Sequence, residues 1–72
     1  MRDINSEVAG WLRDFAFVQQ ATHSRWGYKR AASAVLSLAV PIDSLLNPDN
    51  TLQKIPHVGP ASTRVILEVL RG

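Results

Sequence analysis

The apolar positions of the chain fall into helical stripes, and nowhere alternate with period two. Val8, Trp11, Leu12, Phe15 and Ala16 recur at three- and four-residue spacing and predict a first helix with one apolar face. Asn5 or Ser6 can cap it by accepting a backbone N–H bond, Glu7 suits its positive end, and it is expected to end near Gln20 or Ala21. Gly10 weakens it by up to about 1 kcal/mol. A second stripe, Tyr28, Ala31, Ala32, Val35, Leu36 and Ala39, follows the same rule, with Ser24 as cap and Pro41 as stop. Its alanines leave room for another helix to come close. Trp11 reads as a core residue.

The next stretch is punctuated. Asp43 can cap a short turn through Leu46, and Asn47-Pro48-Asp49-Asn50 is a turn cluster. Asn50 or Thr51 can cap a short helix over residues 52–55. Residues 56–59 form a tight connection. Pro60 then opens a last helix carrying Val65, Ile66, Val69 and Leu70, with Gly72 at its expected end. The fold class is all-α, a compact bundle of four to five short helices. Residues 1–72 form one domain, expected to be the N-terminal module of a longer protein.

The remaining composition narrows the chemistry. With 72 residues and 46% hydrophobic positions, the chain suits one small folded domain. It has no cysteine, so disulfides and thiolate metal sites are excluded. No apolar run reaches the roughly 20 residues of a membrane span, and the polar start is unlike an export signal, which suits a cytoplasmic, monomeric protein. Net charge is only +2, but its distribution is uneven. Between Phe15 and Ile42 there is no acid, and the charges are Arg25, Lys29 and Arg30, with His23 nearby. Lys54, Arg64 and Arg71 face a single acid, Glu68, in the last segment. Such segments are either a footprint for a phosphate backbone or an ordinary solvated surface. Trp26, between Arg25 and Gly27, reads as partly packed against a neighbouring helix, with base stacking as the alternative.

The stretch Leu52-Gln53-Lys54-Ile55-Pro56-His57-Val58-Gly59-Pro60, followed by Thr63, Ile66 and Leu70, resembles a helix–hairpin–helix motif. Leu52, Ile55 and Val58 would lock its two helices together. The second helix would offer unpaired N–H groups and a positive dipole end to a phosphate. Gly59 has no Cβ to obstruct the approach. Such contacts read no bases. Lys54 and Arg64 can add charge. His57 stands where the motif usually has its first glycine, so a positive φ there would strain the backbone.

From about Asn5 to Gly72 the chain also resembles the small N-terminal domain of family-X DNA polymerases, the DNA polymerase beta group. The matching pieces are Asn5, Leu12 and Phe15-Ala16, then Tyr28-Lys29-Arg30-Ala31-Ala32-Ser33, then the hairpin, then Ile66, Glu68, Leu70 and Gly72. The resemblance implies a helical domain that binds single-stranded or gapped DNA in a repair protein, joined to a downstream domain. It implies that His23 stacks on a base, that Tyr28 belongs to a 5′-phosphate pocket, and that Val58, Gly59 and Pro60 meet a phosphate. Arg25, Lys29 and His57 join the DNA-binding candidates. Cofactors are expected to be none, except a possible Na+ or K+ on the carbonyls of Gln53, Ile55 and Val58. The family's Schiff-base lysine falls on Val65, which cannot be a nucleophile, so no lyase activity is expected. Two pocket lysines fall on Ser24 and Ala61. The alternative is a degenerate copy that serves as a structural or protein-interaction module.

Overall fold

The computed structural model describes residues 3–71. It contains α1 (Ile4–Val18), α2 (Thr22–Leu36), a one-turn 3-10 helix (Ile42–Leu45) and α3 (Pro60–Arg71). The all-α class holds among these residues. The expected four to five helices are corrected to three, with the 3-10 turn beside them. Gly72, the expected end of the last helix, lies outside the described residues.

Helix ends differ from expectation for local reasons. The cap of α1 is Asp3, not Asn5 or Ser6: its carboxylate accepts from the Asn5 N–H at 3.1 Å and from the Ser6 hydroxyl at 2.9 Å. Asn5 is needed elsewhere. Its buried side chain donates from Nδ2 to the Val40 carbonyl (2.9 Å) and accepts the Ile42 N–H on Oδ1 (2.6 Å). One amide thus satisfies two backbone groups in the segment after α2, where no helix can do so. α2 starts at Thr22, ahead of Ser24, behind an Ala21 that makes no side-chain cap bond. It stops at Leu36, short of Ala39. Ser37 ends it: its N–H is shared between the Ser33 and Ala34 carbonyls, and its hydroxyl donates to Ser33 O at 3.0 Å. The 3-10 turn begins at Ile42 behind Pro41, so Asp43 lies inside it rather than capping it.

The core joins Val8, Ala9, Leu12 and Ala16 of α1 to Ala31, Ala32 and Val35 of α2, then to Ile42, Ile55, Val65 and Ile66. The alanine pair of α2 faces α1, and small side chains let the helix pair pack closely. Full burial of Leu12, Ile42 or Ile66 contributes roughly 1.5–3 kcal/mol each. Trp11 is not core, contrary to the sequence reading. It is half exposed, because the buried face of α1 runs through Asn5, Val8, Ala9, Leu12 and Ala16 and leaves Trp11 on its flank.

Between Leu46 and Gly59 the chain is not helical. Residues 46–52 make a small hairpin. Leu46 and Leu52 pair as an antiparallel bridge, and the Asn47 N–H donates to Thr51 O at 2.7 Å. The Asn50 N–H donates to Asn47 O at 3.0 Å, and Asn50 has φ 69°. This is a three-residue loop with its left-handed position filled by asparagine, a residue that tolerates it. The short helix expected over residues 52–55 therefore does not form. Four residues are too few to nucleate a helix alone. Here they are drawn out instead, with Gln53 N–H donating to Leu45 O at 2.9 Å and Ile55 reaching the core.

Candidate nucleic-acid interface

Pro56 and His57 are the corner of a tight turn. The Val58 N–H donates to Ile55 O at 3.2 Å, and His57 has φ 69°. Proline second and a positive φ third make this a type II turn, whose third position normally requires glycine. A side chain held there costs about 1–2 kcal/mol. Val58 is half-buried and packs on the core, which fixes the turn. The Gly59 carbonyl then accepts the Thr63 N–H at 2.9 Å, so Gly59 caps α3 and Pro60 is its first residue. Pro60 has no N–H to leave unpaired. Among the described residues, no acceptor meets the N–H of Ala61 or Ser62. A Cβ at Gly59 would meet nothing within 4 Å, so the backbone is open on that side.

α2 completes the site. Arg30 Nη2 lies 3.0 Å from His57 Nδ1. A guanidinium has donors only, so the imidazole accepts through Nδ1 and a neutral ring carries its proton on Nε2. This contact spans 27 positions of sequence and ties the corner of the turn to α2. Behind it is a cleft of about 330 Å³, lined by Tyr28, Arg30, His57, Gly59, Ala61 and Ser62 among others. Ser24 also lines this cleft. Ser24 and Ala61, the positions where the resemblance places pocket lysines, thus do share one cleft with Tyr28. The cation there is Arg30, named from sequence as one of the three basic residues of its segment. On the other side of the Arg30–His57 contact, Trp26, Lys29, Arg30, Ser33 and Ser37 line an open groove of about 610 Å³ with Pro56 and His57. Those five α2 positions share one helical face, a signal that was legible in the spacing.

The other candidates are dispersed. Arg25 donates from Nη2 to Gln19 O at 2.8 Å, which holds it at the α1–α2 turn. Lys29 Nζ sits 6.0 Å from the Trp26 ring centroid. His23, in the first turn of α2, is exposed and lines neither cleft. Lys54 is exposed on the extended segment before the turn. Arg64 faces away from the turn, into a cleft of about 670 Å³ between α1 and α3 with Trp11, Phe15, Val65 and Val69. Tyr28 is half-buried, its ring 5.9 Å from that of Phe15. Val65 is buried in the core. Of the three carbonyls considered for a monovalent cation, that of Ile55 already accepts the Val58 N–H. No group of three or more His, Asp or Glu side chains that could hold a metal ion occurs among the described residues.

A family model described as a helix-hairpin-helix domain matches residues 3–72. Comparison with curated proteins and with solved structures returns no match.

Proposed function

We propose that this chain, which belongs to the helix-hairpin-helix domain family, binds DNA without reading its sequence. The observation that carries the reading is convergence. The unpaired N–H groups of Ala61 and Ser62, the open backbone of Gly59 and the Arg30 guanidinium all meet in one cleft. A phosphate placed there would receive backbone hydrogen bonds, the positive end of α3 and a guanidinium together. None of these groups recognises a base. Arg30 supplies, from a third position, the charge that Ser24 and Ala61 lack.

The finer reading follows the resemblance to the family-X polymerase domain. The substrate is single-stranded or gapped DNA, and the domain serves a polymerase or repair protein. It is no lyase, since Val65 offers no amine for an imine. A Na+ or K+ on the carbonyls of Gln53, Ile55 and Val58 would share Ile55 O with the Val58 N–H, and the binding mode needs no such ion. The test is a titration with single-stranded oligonucleotide at rising salt, followed by amide NMR. Affinity should fall linearly on a log–log scale as counterions are released, with shifts centred on Gly59, Ala61 and Ser62. No detectable binding at low salt, or binding indifferent to salt, overturns the proposal.

One observation favours a second reading, a protein-interaction module. Trp11 and Phe15 stand exposed at the α1–α3 cleft. DNA titration that leaves the α3 N-terminus unmoved would turn the assignment to that face.

A further inference from the structure

Trp26 is 60% exposed. The partial packing expected from sequence leaves most of its ring open. A large aromatic left open to water is informative, because burying it would stabilise the fold by roughly 1.5–3 kcal/mol. It stands on the face of α2 that also carries Lys29, Arg30, Ser33 and Ser37, in the groove closed at one end by Pro56 and His57. That lining holds two formal cations and one histidine, and no carboxylate. Lys29 lies over the indole at cation–π distance, 6.0 Å from its centroid. The groove and the phosphate cleft are neighbours: Arg30 and His57 line both.

These features select one class of occupant. A π-surface with surrounding cations matches a nucleobase attached to a phosphate backbone. Inside a duplex both faces of a base are already stacked on its neighbours, so along a strand it is an unpaired base that can lie on Trp26. We infer that the Trp26 groove is a stacking subsite for one unpaired nucleobase of the strand whose phosphate occupies the Gly59–Ser62 cleft. The Arg30–His57 contact is the ridge between base and phosphate. Stacking of this kind tolerates any base, so it adds strand-type selectivity without sequence selectivity. His23, the stacking residue implied by the resemblance, lines neither cleft, and Trp26 is a different position on the same helix.

This inference rests on the proposed DNA binding, and the experiment separates the two. Trp11 and Trp26 are the two tryptophans of the chain, so Trp11→Phe leaves Trp26 as the sole indole reporter. That protein is titrated with a short oligothymidylate, with the same strand carrying abasic sugars throughout, and with a blunt duplex of equal length. Oligothymidylate should quench Trp26 emission and bind about tenfold more tightly than the abasic strand. Trp26→Ala should lose about tenfold on oligothymidylate and nothing on the abasic strand. Trp26→Tyr should restore most of the loss, which also guards against a folding defect. The inference is overturned if Trp26→Ala binds oligothymidylate like its parent, or loses equally on both strands, while Gly59 to Ser62 still shift with DNA. If no strand binds at low salt, the proposed function falls first.

Discussion

Two turns lie within ten residues of each other, and both place a non-glycine residue at φ 69°. At the first, the side chains and amides of Asn47, Asp49 and Thr51 bond to one another. The Asp49 carboxylate accepts from the Thr51 N–H at 3.1 Å and from its hydroxyl at 2.6 Å, and Asn47 Nδ2 donates to Thr51 Oγ1 at 2.9 Å. Asparagine fills the left-handed position at little cost. At the second turn, histidine fills it at greater cost. Its ring reaches out of the turn to Arg30, and the N–H groups of Ala61 and Ser62 that follow stay unpaired. The first turn consumes its own hydrogen bonds and is architecture. The second leaves donors facing outward, which is what a ligand site requires.

The comparison breaks most sharply at Gly59. Gly59→Asp adds a good helix cap, so stability should hold or rise by up to about 1 kcal/mol. The same carboxylate repels a phosphate at close range, and DNA affinity should fall at least tenfold. Thermal melts beside binding curves check both halves; parallel losses of stability and affinity would mean that the second turn is only structural. Next comes strain. Replacing His57 with valine should lower the denaturant midpoint relative to His57→Gly by the equivalent of about 1–2 kcal/mol, since a branched side chain fits this φ worst. Asn50→Gly should be close to neutral. Smaller still is charge. Arg30→Gln should make the log–log salt slope shallower by about 0.7 on a single strand, while Arg64→Gln, on the far face, leaves it unchanged.

The smallest effect concerns the closed turn. Hydrogen bonds from the Thr51 hydroxyl and then the Thr51 N–H hold the Asp49 carboxyl below the ordinary aspartate value. A depressed folded value means that this stabilisation is present at neutral pH and is lost as pH falls through it. The melting temperature of Asp49→Asn should therefore trail the parent slightly at neutral pH and meet it in strong acid.

Much of this was written in local spacing. The stripes of α1, α2 and α3, the turn cluster at Asn47 and the demand for a positive φ at His57 are all local properties, legible residue by residue. What was illegible depended on distant partners. Leu52 and Ile55 share one face of a helix, but they also fit an extended strand, and only the pairing with Leu46 decides between them. Trp11 sits in an apolar stripe wider than the surface available to bury it. Asn5 looked like a cap because nothing in its neighbours announces the Val40 and Ile42 backbone it serves. Arg30 meets His57 across 27 positions, so nothing local set it apart from Arg25 and Lys29 as the cation of the candidate site.

The Asn5 clasp has a further consequence for how the molecule opens. The Ile42 amide proton is held by a side chain 37 positions away, at the junction of α1 with the segment beyond α2. Asn5 lies in the first turn of α1, so fraying of that helix end releases it, while fraying of α2 or α3 does not. Ile42 lies outside every α-helix, yet its deuterium exchange should report the opening of the distant α1 N-terminus rather than of its own segment. Local breathing at the Pro56–Pro60 corner, where DNA would bind, should leave that proton untouched.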